Sequence, residues 1–224
     1  MGRFTALALT FASDRTRLER QCDGERGRRG RGCERDRQRV ITNRQGVSGA
    51  GKSTLGTALA KALHLPFIDG DDLHPPANVA KMARGEALGD VDRMPWLEAV
   101  RRAAVARVVG QVGEEESDDK ETWRPGVVVA CSALKKTYRA VLRGETSGAG
   151  AEVPTYIVYL KGDREVLMAR MLGRQGHFMK AGMLESQLAT LESPEGEPGV
   201  VSVSVGVSTE VQVQTVADAL RSWS

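Results

Sequence analysis

A chain of 224 residues, 41% hydrophobic and 27% charged, suits one medium domain that buries roughly 70% of the surface its unfolded form exposes. No run approaches the ~18–20 uninterrupted apolar residues of a membrane helix, and aromatics are only 4%, which leaves the core to Val, Leu, Ile and Ala. The net charge of +3 is lopsided: residues 1–45 hold 12 Arg, no Lys and 6 acids, so the rest of the chain carries −3. The basic balance therefore belongs to the N-terminal arm and says little about partners of the domain.

Residues 1–13 carry Arg3 with Ser and Thr and no acid, a faint likeness to a transit peptide that Asp14 and Glu19 interrupt. Residues 14–39 are dominated by Gly and Arg, with almost nothing to bury, which predicts disorder. With no aromatic interleaved, nucleic-acid binding is not expected of this run. Cys22 and Cys33 lie in the arm and Cys131 in an apolar strand pattern, so neither a disulfide framework nor a zinc site is indicated. Two units follow: an Arg/Gly-rich arm, 1–45, disordered or aberrant, and a domain, 46–224.

Within the domain the pattern alternates. Lys52 to Leu63 places Leu55, Leu59, Ala62 and Leu63 at helical spacing, and Leu65 to Ile68 reads as a short buried strand. Pro95 to Val109 reads as a helix opened by proline. Val127 to Cys131 and Thr155 to Leu160 are continuous apolar runs of the kind a central parallel strand needs. Asp163 to Arg174 is helical, Val200 to Val207 strand-like, and Glu210 to Trp223 a closing helix. Glu114 to Glu121 and Gly144 to Gly150 read as loops. Such alternation implies an α/β fold: a three-layer sandwich, with a five-stranded, mostly parallel sheet and helices on both faces.

Gly46-Val47-Ser48-Gly49-Ala50-Gly51-Lys52-Ser53 fits G-x4-G-K-[ST], the P-loop pattern, and Thr54 follows it. The glycines permit the backbone angles that aim successive N–H groups at phosphate oxygens, and the helix starting near Lys52 adds its positive end. Lys52 is expected to reach the β- and γ-phosphates of ATP, and Ser53 to ligate Mg²⁺. One defect stands beside the motif: Asn43, Arg44 and Gln45 are poor occupants of the buried strand that should precede it. Either that strand is short and strained, or residues up to about 45 are not the domain's natural lead-in; the second reading is preferred.

The strand ending at Ile68 leads into Asp69-Gly-Asp71-Asp72-Leu-His74-Pro. Phosphoryl transfer to an alcohol needs one carboxylate near the metal and one to take the hydroxyl proton, which Asp69 and Asp71 could divide between them. The alternative is a polar loop with helix caps, and Asp72 looks most like such a cap. His74 is either a substrate contact or structural, and His64 needs only a helix-end role. Arg93 is a fork for a carboxylate or a surface ion pair. No acid stands at the end of the third strand, beside Lys135 and Lys136. Arg170 and Arg174, with His177 and Lys180 beyond, suit either a mobile lid over ATP or a solvated basic helix end.

Together these segments resemble the gluconokinase family. The resemblance rests on Gly46–Thr54, Asp69–Pro75, Asn78–Met82, Gly85–Asp90, Asp92–Leu97, Cys131–Arg139, Gly176–Lys180 and Ser186–Glu192, which span residues 46 to about 192. The His-Pro, Asp-Arg-Met-Pro-Trp-Leu and Cys-Ser-Ala-Leu-Lys pieces are far more specific than the P-loop. What the resemblance implies is ATP-dependent phosphorylation of D-gluconate, Mg²⁺ dependence, a cytoplasmic location and often a homodimer. It also implies substrate-side roles for Asp71, His74, Arg93 and Lys135, and a lid role for Arg174. The stretch after Glu192 departs from the family pattern, which puts nucleotide-edge contacts there in question. The alternatives are another small-molecule kinase, such as a shikimate type, or a nucleotide-binding chain without turnover.

Overall fold

The computed structural model describes residues 8–12, 39–45, 50–111, 125–146, 153–172 and 181–223. In chain order the elements are β1 (Ala8–Ala12), β2 (Arg39–Gln45), α1 (Lys52–Ala62), β3 (Phe67–Asp69), a single 3-10 turn (Gly70–Leu73), α2 (Pro76–Ala83), α3 (Asp90–Gly110), β4 (Gly126–Ala130), α4 (Lys136–Arg143), β5 (Pro154–Lys161), α5 (Arg164–Leu172), α6 (Ala181–Thr190), β6 (Val200–Ser204) and α7 (Thr209–Ser222).

The strands form one sheet in the order β3-β4-β2-β1-β5-β6. β2 to β6 are parallel: Val40 of β2 faces Gly126 of β4, and Ile41 faces Thr155 of β5. β1 runs antiparallel to both β2 and β5, with Ala8 opposite Asn43 and Ile157. The α/β class and the mostly parallel sheet agree with the sequence pattern, but the described sheet has six strands rather than five. The addition comes from Ala8-Leu-Thr-Phe-Ala, a short β-compatible run whose signal is swamped by the Gly/Arg composition that follows it. β2 runs through Asn43, Arg44 and Gln45, opposite Ile157, Val158 and Tyr159, so the first strand is not cut short. A ladder of main-chain hydrogen bonds can form whatever side chains it carries. Residues 13–38, most of the Arg/Gly-rich run, lie outside the described residues, as do 112–124 and 147–152.

Apolar side chains close the two faces. β4 and β5 are buried from Val127 to Ala130 and from Ile157 to Leu160. α1 packs on α7 and α3 on α4, with both α1 and α3 against β4, and Leu55, Leu59, Val216 and Leu220 lie in the buried core. Among the described residues no helix is long and apolar enough to cross a membrane.

Helix α3 begins at Asp90, ahead of the proline expected to open it. Asp92 makes the earlier start workable, because its carboxylate accepts from the Gly89 N–H at 3.0 Å. Pro95 then sits inside the helix and cannot serve the Val91 carbonyl, but Val91 is 88% exposed and water can. β6 ends at Ser204, short of its sequence boundary, while α5 is described as far as Leu172 and the last two residues of the expected helix lie outside the described residues.

Candidate active site

Gly46, Val47, Ser48 and Gly49 lie outside the described residues. Ala50 is buried, and Gly51 adopts φ 91°, a left-handed conformation that disfavours any side chain. That turn delivers the chain into α1 with Lys52 as its first residue. Among the described residues no side chain caps α1, and its first turn holds no acid. The first-turn N–H groups and the positive end of the helix suit an anion.

Ser53 lies one residue on, and its Oγ donates to Asp69 Oδ2 at 3.0 Å. Asp69 ends β3, and its other oxygen accepts from the Asp71 N–H at 3.1 Å, so Asp69, not Asp72, caps the turn that follows. A hydroxyl and a carboxylate this close are a hard-oxygen pair of the kind Mg²⁺ uses when phosphate and water complete its shell. Among the described residues no cluster of three or more His, Cys, Asp or Glu offers a metal a fuller cage. The donor set fits a phosphate-bound Mg²⁺.

Gly70 fixes the position of both aspartates. A Cβ there would lie 2.5 Å from the Ala130 carbonyl at the end of β4, so only glycine lets the turn press against that strand. The Gly70 carbonyl accepts from Trp96 Nε1 at 2.7 Å, which ties the turn to α3. Trp96 is fully buried and stacks on the His74 ring, with centroids 4.1 Å apart and planes 13° from parallel. Asn78 reaches His74 Nδ1 at 3.4 Å and also donates to the Asp92 carbonyl at 2.8 Å. Burial pulls the His74 pKa below its ordinary value; Asp71 raises it and Arg93 lowers it further. With Nδ1 accepting from the Asn78 amide, the neutral ring carries its proton on Nε2.

Lys52, Asp71, His74 and Arg93 meet around one cavity of about 210 Å³. Arg93 is steadied by its Nε bond to the Leu88 carbonyl at 3.2 Å and lies 5.9 Å above the Tyr138 ring. The neighbouring ion pair of Lys81 and Asp92, at 2.7 Å, holds the start of α3 against α2, and Lys81 keeps the Asp92 carboxyl below the usual range. Lys135 does not line the cavity. Its ammonium lies 2.8 Å from both Asp90 oxygens, and Tyr138 donates to the same carboxylate. These contacts, the Lys135 hydrogen bond first, lower the Asp90 pKa.

Arg170 reaches back to the phosphate side. Its guanidinium lies 4.0 Å from where a Gly51 side chain would be, and it donates to the Val205 carbonyl at 2.5 Å. Val205 borders a second cavity of about 440 Å³ at the carboxyl ends of β5 and β6, lined also by Gly162, Asp163 and Ser204. Arg174 and His177 lie outside the described residues. The sequence reading missed Trp96 as the support of His74, and it missed Met82, Leu88, Ser132, Ser186 and Gln187 on the cavity wall. Ser132, Ser186 and Gln187 fall within the motif pieces that carry the family resemblance, but nothing in their spacing marks them as lining.

A P-loop helix, a Ser–Asp pair beside it and a cavity holding Lys52 and Asp71 define a small-molecule kinase. The family pattern described as "Shikimate kinase" matches residues 48–194. The chain is 41% identical over 180 residues to the gluconokinase of Arabidopsis thaliana, covering 77% of this chain and 88% of that one. It is 39% identical over 177 residues to the thermoresistant gluconokinase of Escherichia coli (strain K12), covering 79% and 90%. The crystal structure of a gluconokinase from Sinorhizobium meliloti 1021 superposes with a TM-score of 0.63 at 41% identity, over 80% of this chain and 90% of that one. The chain belongs to the gluconokinase family.

Proposed function

We propose that this chain transfers the γ-phosphate of ATP to a hydroxyl of D-gluconate, giving 6-phosphogluconate. The observation that carries the reading is the shared cavity: a phosphate-side cation, Lys52, and an acceptor-side carboxylate, Asp71, border one space with a carboxylate-binding fork, Arg93. Identity of about 40% to gluconokinases over three quarters of the chain supplies the acceptor.

In this reading Gly46, Val47, Ser48, Gly49, Ala50, Gly51, Lys52, Ser53 and Thr54 cradle the phosphates. Arg170 lies between that cradle and the cavity beside Val205, where the base end of ATP is proposed to sit. Ser53 and Asp69 would hold Mg²⁺, which supplies charge neutralisation at the transferring phosphoryl group when bound. Asp71 orients the acceptor hydroxyl and takes its proton. His74 donates from Nε2 to an acceptor oxygen, and Arg93 grips the substrate carboxylate with two parallel hydrogen bonds. Lys135, held by Asp90, acts at the flank of the substrate site. Arg174 is proposed to bring lid charge to the transition state.

The residue 45/46 boundary also remains a proposal. β2 fills the first-strand place with Asn43, Arg44 and Gln45, which suit it poorly, so residues up to about 45 are read as a foreign lead-in. Recovery of peptides from residues 20–45 of the native protein by mass mapping would contradict this. A cytoplasmic homodimer is proposed from the family resemblance.

The test of the acceptor is product identification. The full chain is incubated with Mg·ATP and either D-gluconate or shikimate, and products are read by phosphorus NMR and mass. A phosphate monoester of gluconate is expected. A shikimate ester instead would favour the reading suggested by the family pattern's description, and ATP binding without either product would point to a chain without turnover.

A further inference from the structure

One wall of the acceptor cavity is polar but uncharged. Beside Lys52, Asp71, His74 and Arg93 stand three uncharged polar side chains, Ser132, Ser186 and Gln187. Ser132 comes from the loop after β4, and the other two from α6, more than fifty residues further along the chain. These two segments are bolted together. The Glu192 N–H donates to the Leu134 carbonyl at 2.9 Å, and the Glu192 carboxylate accepts from the Lys136 N–H at 2.6 Å. Arg139 bridges them again, donating to the Leu134 carbonyl at 3.2 Å and to the Glu192 carbonyl at 3.0 Å.

Arg139 is only 1% exposed, and its charge is met by Glu197 through contacts of 2.5 to 3.1 Å, with Arg143 on the same carboxylate at 2.9 Å. Burial works against the charge on Glu197, but the two guanidiniums outweigh it and hold the carboxyl below its ordinary range. A buried network with its partners in place is stiff. Ser132 and α6 therefore meet the cavity as one preset surface.

We propose that Ser132, Ser186 and Gln187 are the hydroxyl-reading wall of the acceptor site and set its selectivity for a polyhydroxylated chain; this rests on the gluconate reading. The charged residues can fix only the ends of such a substrate, its carboxylate and its reacting hydroxyl. Each hydroxyl between them both donates and accepts a hydrogen bond. Serine hydroxyls and a glutamine amide do the same, without the desolvation cost of a charge. The apolar lining of Met82, Ala87 and Leu88 discriminates weakly, by ~10–200-fold per group, whereas a site built to bond a hydroxyl can reject the analogue lacking it by ~10⁴-fold or more.

The experiment compares kcat/KM for D-gluconate and for each monodeoxy gluconate in the full chain, in Gln187→Met and in Ser186→Ala. Methionine is close in size and helix propensity to glutamine, and Ser186 is exposed, so a folding defect in one variant leaves the other informative. We expect the wild type to reject at least one deoxy acid by ~10²-fold or more. A variant should lose ~10–100-fold on gluconate but under ~3-fold on the acid already lacking the hydroxyl it reads, with KM for ATP unchanged. Equal losses on gluconate and every deoxy acid, or no loss in either variant, would overturn the proposal while leaving the gluconate reading intact. A wild type silent on gluconate would overturn both.

Discussion

On the phosphate side, the described groups are placed mainly by backbone: Gly51 turns the chain, α1 aims its end, and Ser53 needs one bond to Asp69. On the acceptor side each group is fixed by contacts from distant elements. His74 is set by a ring stack on a fully buried Trp96, the aspartate turn by a glycine pressed against β4, and Arg93 by Leu88 and Tyr138. A phosphate is the same in every nucleotide, so a backbone cradle serves any kinase of this class. An acceptor must be told from its analogues, and that needs side chains held from several directions at once.

The largest expected effect breaks the acceptor side chemically. Asp71→Asn keeps size and hydrogen bonding but removes the base, and turnover should fall about 10²–10⁴-fold with ATP affinity retained. Steady-state kinetics with nucleotide binding measured in parallel would check it; near-normal turnover would remove Asp71 from its role.

Gly70→Ala breaks the same side mechanically. The added carbon meets the Ala130 carbonyl at 2.5 Å, so the turn must move off β4, at a cost of about 1–3 kcal/mol in stability. Both aspartates move with it, so kcat should fall more than the KM for ATP rises. Denaturant unfolding and kinetics on one preparation separate the two losses.

The smallest effect sharpens the comparison through pH. Burial keeps the folded His74 pKa below its ordinary 6.5, and the opposing pull of Asp71 does not restore it. Between those two values the unfolded chain binds a proton that the folded chain refuses. This contribution to stability is therefore full above pH 6.5 and is lost as pH falls towards the folded pKa. His74→Gln should lose less stability than the wild type between about pH 7.5 and about pH 5.5 in denaturant titrations. An identical slope would mean that His74 is not held neutral.

This contrast also explains how much could be read from the sequence. The phosphate motif is local, and Lys52 duly opens a helix at the carboxyl end of a parallel sheet. The cluster of Asp71, His74 and Arg93 was legible as candidates because all three stand near a strand end or helix start. Ser186 and Gln187 were not, since their place on the wall depends on Glu192 and Arg139 joining segments distant in sequence. Lys135 shows the same limit: its place beside the site is legible, but the Asp90 carboxylate that holds its ammonium lies 45 residues away in sequence. The sixth strand is hidden in the sequence because Gly and Arg dominate the arm as a whole, whereas pairing depends on only five of its residues.

Everything on the acceptor side is proposed to serve gluconate. The most direct measurement is a coupled assay of ADP release by the full chain with Mg·ATP, with D-gluconate, shikimate or no acceptor. Saturable release is expected with gluconate, at a kcat/KM at least ~10²-fold above that for shikimate, and only slow release without acceptor. Equal rates with both acids, or a rate that no acceptor raises, would contradict it.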